Sequence, residues 1–123
     1  MTSLCDLKAV KLRAMIGRKD ISPTELVDSC IDRIESIDGS LNAIVTRSFE
    51  RARKEAKHAE KAALDGDHLG LLHGLPVGIK DLEATKDIRT TMGSRIYSDN
   101  VPESDQGSVA NIRAEGGIIL GKT

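Results

Sequence analysis

Aromatic residues are nearly missing from this sequence: of 123 residues only Phe49 and Tyr97 carry such a ring, and there is no tryptophan. That scarcity argues against a base-stacking platform for RNA or single-stranded DNA. It also thins any core, because rings bury the most area per residue, and leaves Leu, Ile, Val and Ala to close it. Charge of one sign is lacking too. Lys plus Arg total 18 against 19 for Asp plus Glu, a formal net charge of −1. A nucleic-acid binder held by a broad basic face is not expected from that balance. No apolar run approaches the ~20 residues of a membrane span. The longest, Leu69 to Ile79, is broken by His73, Gly74 and Pro76. Asp6 stands early and no apolar segment follows it, so no secretory signal is expected and the cytoplasm is the default location. Cysteine is limited to Cys5 and Cys30, read as two free thiols in a reducing compartment. His58, His68 and His73 lack the spacing of a helical metal pair, so they read as surface or loop residues and no metal is expected.

What is present is organised in two halves. Leu4, Leu7, Val10, Ala14 and Met15 recur at helical spacing and predict a first helix over about 3–17. Ser22, Pro23 and Glu25 supply an N-cap, a first-turn proline and a capping-box carboxylate for a second. Its apolar face runs through Leu26, Val27, Cys30, Ile31, Ile34 and Ile37 to a stop at Asp38-Gly39, and the two helices suggest an αα-hairpin. Ala43 to Val45 reads as a short connector strand. A third, alanine-rich helix follows from Arg47 to Leu64, with Phe49, Ala52, Ala56, Ala59 and Ala63 on one stripe. Its many basic residues, interleaved with Glu50, Glu55 and Glu60, read as a solvated face and not as a phosphate patch.

At Asp65-Gly66-Asp67 the composition changes, and nine of the eleven glycines lie from Gly66 onward. A strand-like Leu75 to Lys80, a polar loop, a short helix over about Gln106 to Glu115 and a strand-like Ile118 to Leu120 follow. Helices leading into strand, loop, helix and strand indicate the opening of an α/β sheet.

Lys80 ends that first strand. By period two, Val77 and Ile79 point one way while Gly78 and Lys80 point the other. A lysine on an apolar strand has its ammonium desolvated, paired or led to a cleft. Desolvation would make it a usable general base; the plainer alternative is a strand-end lysine that reaches solvent.

Three runs carry a family resemblance: GLPVGIKD, then RTTMGSRIY from Arg89 to Tyr97, then VPESDQGSVANIRAEGGIILGKT. With the earlier ISPTELVDSCIDRIESIDGSLNAIVT, they resemble the N-terminal part of the amidase signature family, in its order and spacing through essentially the whole chain. The resemblance implies a mixed α/β sheet with helices around it, and an enzyme that hydrolyses carboxylic amides or uses them as ammonia donors. It implies no cofactor, a small-molecule amide substrate, and no direct contact with nucleic acid or membrane. Residues 1–123 would be the N-terminal part of a single amidase-signature domain, with 1–64 mainly helical and 65–123 the start of the sheet, hence an incomplete domain. The family's catalytic set is a lysine, a serine preceded by a cis peptide bond and a nucleophilic serine. Lys80 matches the lysine and would take a proton through the bridging serine as the second serine attacks the carbonyl. Asp81, Thr90, Thr91, Gly93 and Ser94 fall in the matched motifs as shapers of the loop beside that strand. Met92 reads as a packing residue or a pocket wall.

The match departs from the family at the serines. Ser94, Ser98, Ser104 and Ser108 do not occupy the family's catalytic serine positions, which lie beyond the Gly-Lys-Thr match. Without a nucleophile the set does not work as a unit, so these residues alone are expected to be inactive. The rival readings are an A-type subunit of a glutamyl- or aspartyl-tRNA amidotransferase and a non-catalytic binding module. Strand edges at Leu75 to Ile79 and Ile118 to Leu120 would make the piece prone to aggregation. Finally, Gly116 to Thr123 satisfies the G-x-x-x-x-G-K-T pattern of a phosphate loop. A helix precedes it and its middle is Ile-Ile-Leu, so a helix stop leading into a core strand is expected instead.

Overall fold

The N-terminal stretch breaks where the periodicity predicted one helix. In the computed structural model, which describes residues 2–123, a 3-10 turn spans Leu4–Asp6 and helix α1 spans Ala9–Gly17. Leu7 and Lys8 between them are extended. Asp6 anchors the first turn: its carboxylate caps that turn by accepting the Ser3 N–H at 3.2 Å and pairs outside it with Arg33 at 3.0 Å. The first turn is thereby pinned sideways.

Helix α2, Pro23–Leu41, starts as the sequence dictates. The Glu25 N–H donates to Ser22 Oγ at 3.0 Å and the Ser22 N–H to Glu25 Oε2 at 2.8 Å. It runs through Gly39, however, and closes at Asn42, which is left-handed at φ 53°. Asp38 explains the extra turn. Its buried carboxylate points past the helix end, where Oδ1 accepts the Ala43 N–H at 2.7 Å and the Ile44 N–H at 3.3 Å. With the outgoing chain tied there, Gly39 stays inside the helix.

Helix α3, Phe49–Leu64, lays the predicted alanine stripe against α2. Ala52 and Ala56 meet Val27 and Ile31 in one cluster, closed by Ile118 and Leu120. The small side chains let the helices approach, and each fully buried Val or Ile contributes about 1.5–3 kcal/mol. A second cluster joins Leu12 and Ile16 of α1 to Leu26 and Leu75. Among the described residues no helix is long and apolar enough to cross a membrane.

The sheet has three strands: β1 (Thr46–Arg47), β2 (Pro76–Ile79) and β3 (Ile118–Lys122), in the order β1-β3-β2. The connector strand thus sits slightly beyond its predicted place. β3 is central, antiparallel to β1 and parallel to β2, and α4 (Gly107–Ala114) lies in the crossover. Val109 of α4 packs with Ile79, Ile88 and Ile119 in the third cluster. Between Val77 and Gly78 the β2–β3 register shifts, leaving Leu120 as an extra residue in β3.

Gly116, at φ 89°, ends the approach from α4. A Cβ on Gly121 would stand 2.2 Å from the Thr46 carbonyl, so glycine there allows β1 to lie close. These glycines serve a helix stop and a strand crossing, and the residues of the phosphate-loop pattern form β3.

Candidate functional site

Alternation along β2 turns Ile79 inward and leaves Lys80, just beyond the strand end, exposed. Lys80 borders an open cavity of about 220 Å³, walled by Asp81, Val45, Leu82, Met92 and Thr123. None of Ser94, Ser98, Ser104 or Ser108 lines it. Ser94 Oγ accepts the Ile96 N–H at 3.2 Å, and the Ser108 hydroxyl donates to Glu83 at 3.0 Å.

Asp81 shapes the wall beside Lys80, as its place in the loop suggested. It is buried, and its Oδ1 accepts the Thr91 N–H at 3.0 Å while Oδ2 accepts the Thr91 hydroxyl. Its backbone is tied on both sides: the N–H donates to the Thr123 carbonyl, and the carbonyl accepts the Met92 N–H, each at 2.9 Å. Met92 is held left-handed at φ 54° and Gly93 at φ 67°. A non-glycine residue in that conformation costs about 1–2 kcal/mol, which the Asp81 bonds offset. Thr90 is buried beside them and exchanges bonds with Asn100, receiving the Asn100 side chain at 2.9 Å.

Sequence reasoning missed Lys122. Its side chain is fully buried, and Nζ donates to the Glu83 carbonyl at 2.7 Å and to the Thr85 and Thr90 hydroxyls at 2.8 Å each. Both hydroxyl hydrogens are already committed, Thr85 to Glu83 O and Thr90 to Ile88 O, each at 3.0 Å. Three acceptors therefore face Nζ, and only an ammonium supplies three donors. Burial pulls the Lys122 pKa below its ordinary value, while the charges of Asp81 and Glu83 oppose that fall. The shifted register is what aims it. Ile118 and Leu120 face α2 and α3, and strict alternation would send Lys122 the same way; the extra residue turns it to the side of Ile119. The signal lay in the sequence: a lysine closing Ile-Ile-Leu-Gly-Lys must be desolvated or paired, for the same reason that applies to Lys80.

Other candidates stay apart. Most basic residues of α3 are matched by carboxylates, with Arg53 on Asp28 at 2.9 Å, Arg51 on Glu55 at 2.9 Å and Lys54 on Glu50 at 3.3 Å. His58 and His68 are exposed, and half-buried His73 sets Nε2 2.8 Å from the Ala59 carbonyl. Among the described residues no three His, Cys, Asp or Glu side chains gather as a metal site. Cys5 and Cys30 are free and partly buried. Burial, with Cys5 nearby, pushes the Cys30 thiol up to about 11 against the opposing pull of Arg33.

Comparison with known proteins finds one family model, described as Amidase, matching residues 25–123. The A-type chain of the glutamyl-tRNA(Gln) amidotransferase of Moorella thermoacetica is 40% identical over 94% of this chain, which spans 24% of that protein. An acylamidase of Rhodococcus erythropolis is 34% identical over 95% of the chain and 24% of its own length. Among solved structures, a bacterial aryl acylamidase of the amidase signature enzymes superposes with TM-score 0.88 at 30% identity. That likeness covers 95% of this chain and 25% of the enzyme. The chain thus spans about a quarter of the length of the curated relatives it matches.

Proposed function

The chain belongs to the amidase-signature family, and on that footing we propose that it forms the N-terminal part of a carboxylic amide hydrolase with Lys80 as its base. In this reading Lys80 accepts a proton through a bridging serine, and a second serine attacks the amide carbonyl. The same proton then returns to the departing amine, and water releases the acyl group. Both serines would come from sequence beyond these residues. The observation that carries the reading is the position of Lys80: exposed just past the end of β2, at an open cavity whose wall Asp81 braces. The substrate would be a small amide, handled in the cytoplasm without a cofactor, nucleic acid or membrane.

The test is Lys80→Ala in the full-length gene product, assayed on aryl and aliphatic amides. A fall of about a thousandfold or more in kcat/KM, with the circular dichroism spectrum unchanged, is the expected result. Residues 1–123 alone should turn over no amide. Retained hydrolysis in Lys80→Ala would remove Lys80 from the reaction.

A second reading is favoured by the higher identity to the amidotransferase chain, 40% against 34% for the acylamidase. The protein would then be an A-type subunit that releases ammonia from glutamine for a tRNA-linked transfer. Glutaminase activity that appears only with a partner protein would select it; hydrolysis of simple amides by the single protein would select the first.

A further inference from the structure

We propose that Lys122 is a positioning residue, whose ammonium holds the 83–90 segment on the sheet and so sets the Met92 side of the Lys80 cavity. The inference rests on the reading of the Lys80 cavity and adds the part that fixes it from behind. The Lys122 side chain grips the segment at three points, Glu83, Thr85 and Thr90. Thr91, next along, is gripped by Asp81, and Met92 follows in its left-handed conformation. On the main-chain side, the Lys122 carbonyl accepts the Val45 N–H at 2.9 Å, and adjacent Thr123 accepts the Asp81 N–H at 2.9 Å. Val45, Asp81, Met92 and Thr123 are all cavity walls. The main-chain bonds of Lys122 and Thr123 hold one side of the cavity whatever residue stands at 122, whereas the three bonds from Nζ to the 83–90 segment are lost with a shorter or apolar side chain.

A buried charge is a poor choice for stability alone, since an apolar side chain of the same volume fills the space without desolvation. What the ammonium adds is direction: three donors with fixed acceptors specify one loop conformation. Lys122 touches neither the cavity nor any reacting atom, and its effect runs through the segment it holds.

Hydrogen exchange read by mass spectrometry on the full chain tests this. Lys122→Met should speed exchange of amides in 83–93 about tenfold or more, with the α2 and α3 amides unchanged. Thr90 supplies the second measurement if that variant fails to fold. Thr90→Ser keeps the acceptor and loses a methyl, whereas Thr90→Val keeps the shape and loses the acceptor. A positioning bond predicts that serine preserves the slow exchange of 83–93 and valine does not; simple packing predicts the reverse order. Unchanged exchange in Lys122→Met, or valine protecting better than serine, overturns the inference. Neither readout needs turnover, so it can fail while Lys80 proves to be the base, or hold while Lys80 does not.

Discussion

The N–H of Asp81 donates to the carbonyl of Thr123 at 2.9 Å, joining the residue after Lys80 to the residue after Lys122. Two lysines of opposite character are thereby linked across neighbouring strands: one exposed at a cavity, one sealed beneath the loop that walls it. The strand ends on either side of Lys80 are joined by this bond and by the Thr123 N–H on the Ile79 carbonyl, also at 2.9 Å.

Asp81 should accordingly matter more than its surroundings suggest. Asp81→Ala leaves the Thr91 N–H and hydroxyl without their acceptors in a partly buried place, at about 1–3 kcal/mol. Asp81→Asn keeps one acceptor and should lose less than half of that. Urea unfolding followed by circular dichroism measures both; an alanine variant as stable as the parent would show that the loop is held by other contacts.

Two glycine substitutions should move stability in opposite directions. Gly39 lies in the last turn of α2, and a Cβ there meets nothing within 4 Å. Gly39→Ala should stabilise by about 1 kcal/mol through helix propensity. Gly121→Ala instead drives its Cβ to 2.2 Å from the Thr46 carbonyl and must push β1 off β3, at about 3 kcal/mol or more. Melting midpoints of the two variants give the comparison directly. A neutral Gly121→Ala would mean that β1 is free to shift.

How far the sequence could be read follows from which signals were local. The Ser22 box, the alanine stripe of α3, and helix α4 rest on neighbours within a turn or two, and they stand where periodicity put them. Asp6 and Asp38 could not be foreseen in the same way. Each breaks a periodic expectation by bonding outside its own helix pattern, Asp6 to Arg33 and Asp38 to Ala43, Ile44 and Arg47. The place of Lys80 just past a strand end was legible in the alternation of Leu75 to Lys80, which is a local signal. Lys122 was hidden by the opposite circumstance. Its setting imitates a phosphate loop, and its real partners lie more than thirty residues away in sequence. The register shift that aims it is a property of the β2–β3 pair and has no local mark.

Asp38 leads to a prediction about acid. Burial works to raise its pKa, but the Ala43 N–H, Arg47 and the Ile44 N–H together outweigh burial and hold the carboxyl below its ordinary 3.8. A carboxylate depressed in the folded state binds its proton more weakly there than in the unfolded chain. Its contribution to stability is therefore complete above about pH 3.8, the unfolded value, and is lost as pH falls through the lower folded one. Asp38→Asn keeps an oxygen for the Ala43 N–H but cannot titrate. Urea midpoints measured from pH 7 down to pH 2 should show the parent ahead of Asp38→Asn at neutral pH and the gap narrowing through the acid range. The slope difference should correspond to uptake of no more than about one proton on unfolding. Curves that stay parallel to pH 2 would mean that the α2 terminus is held by the neutral hydrogen bonds alone, and that the charge on Asp38 contributes nothing to the fold.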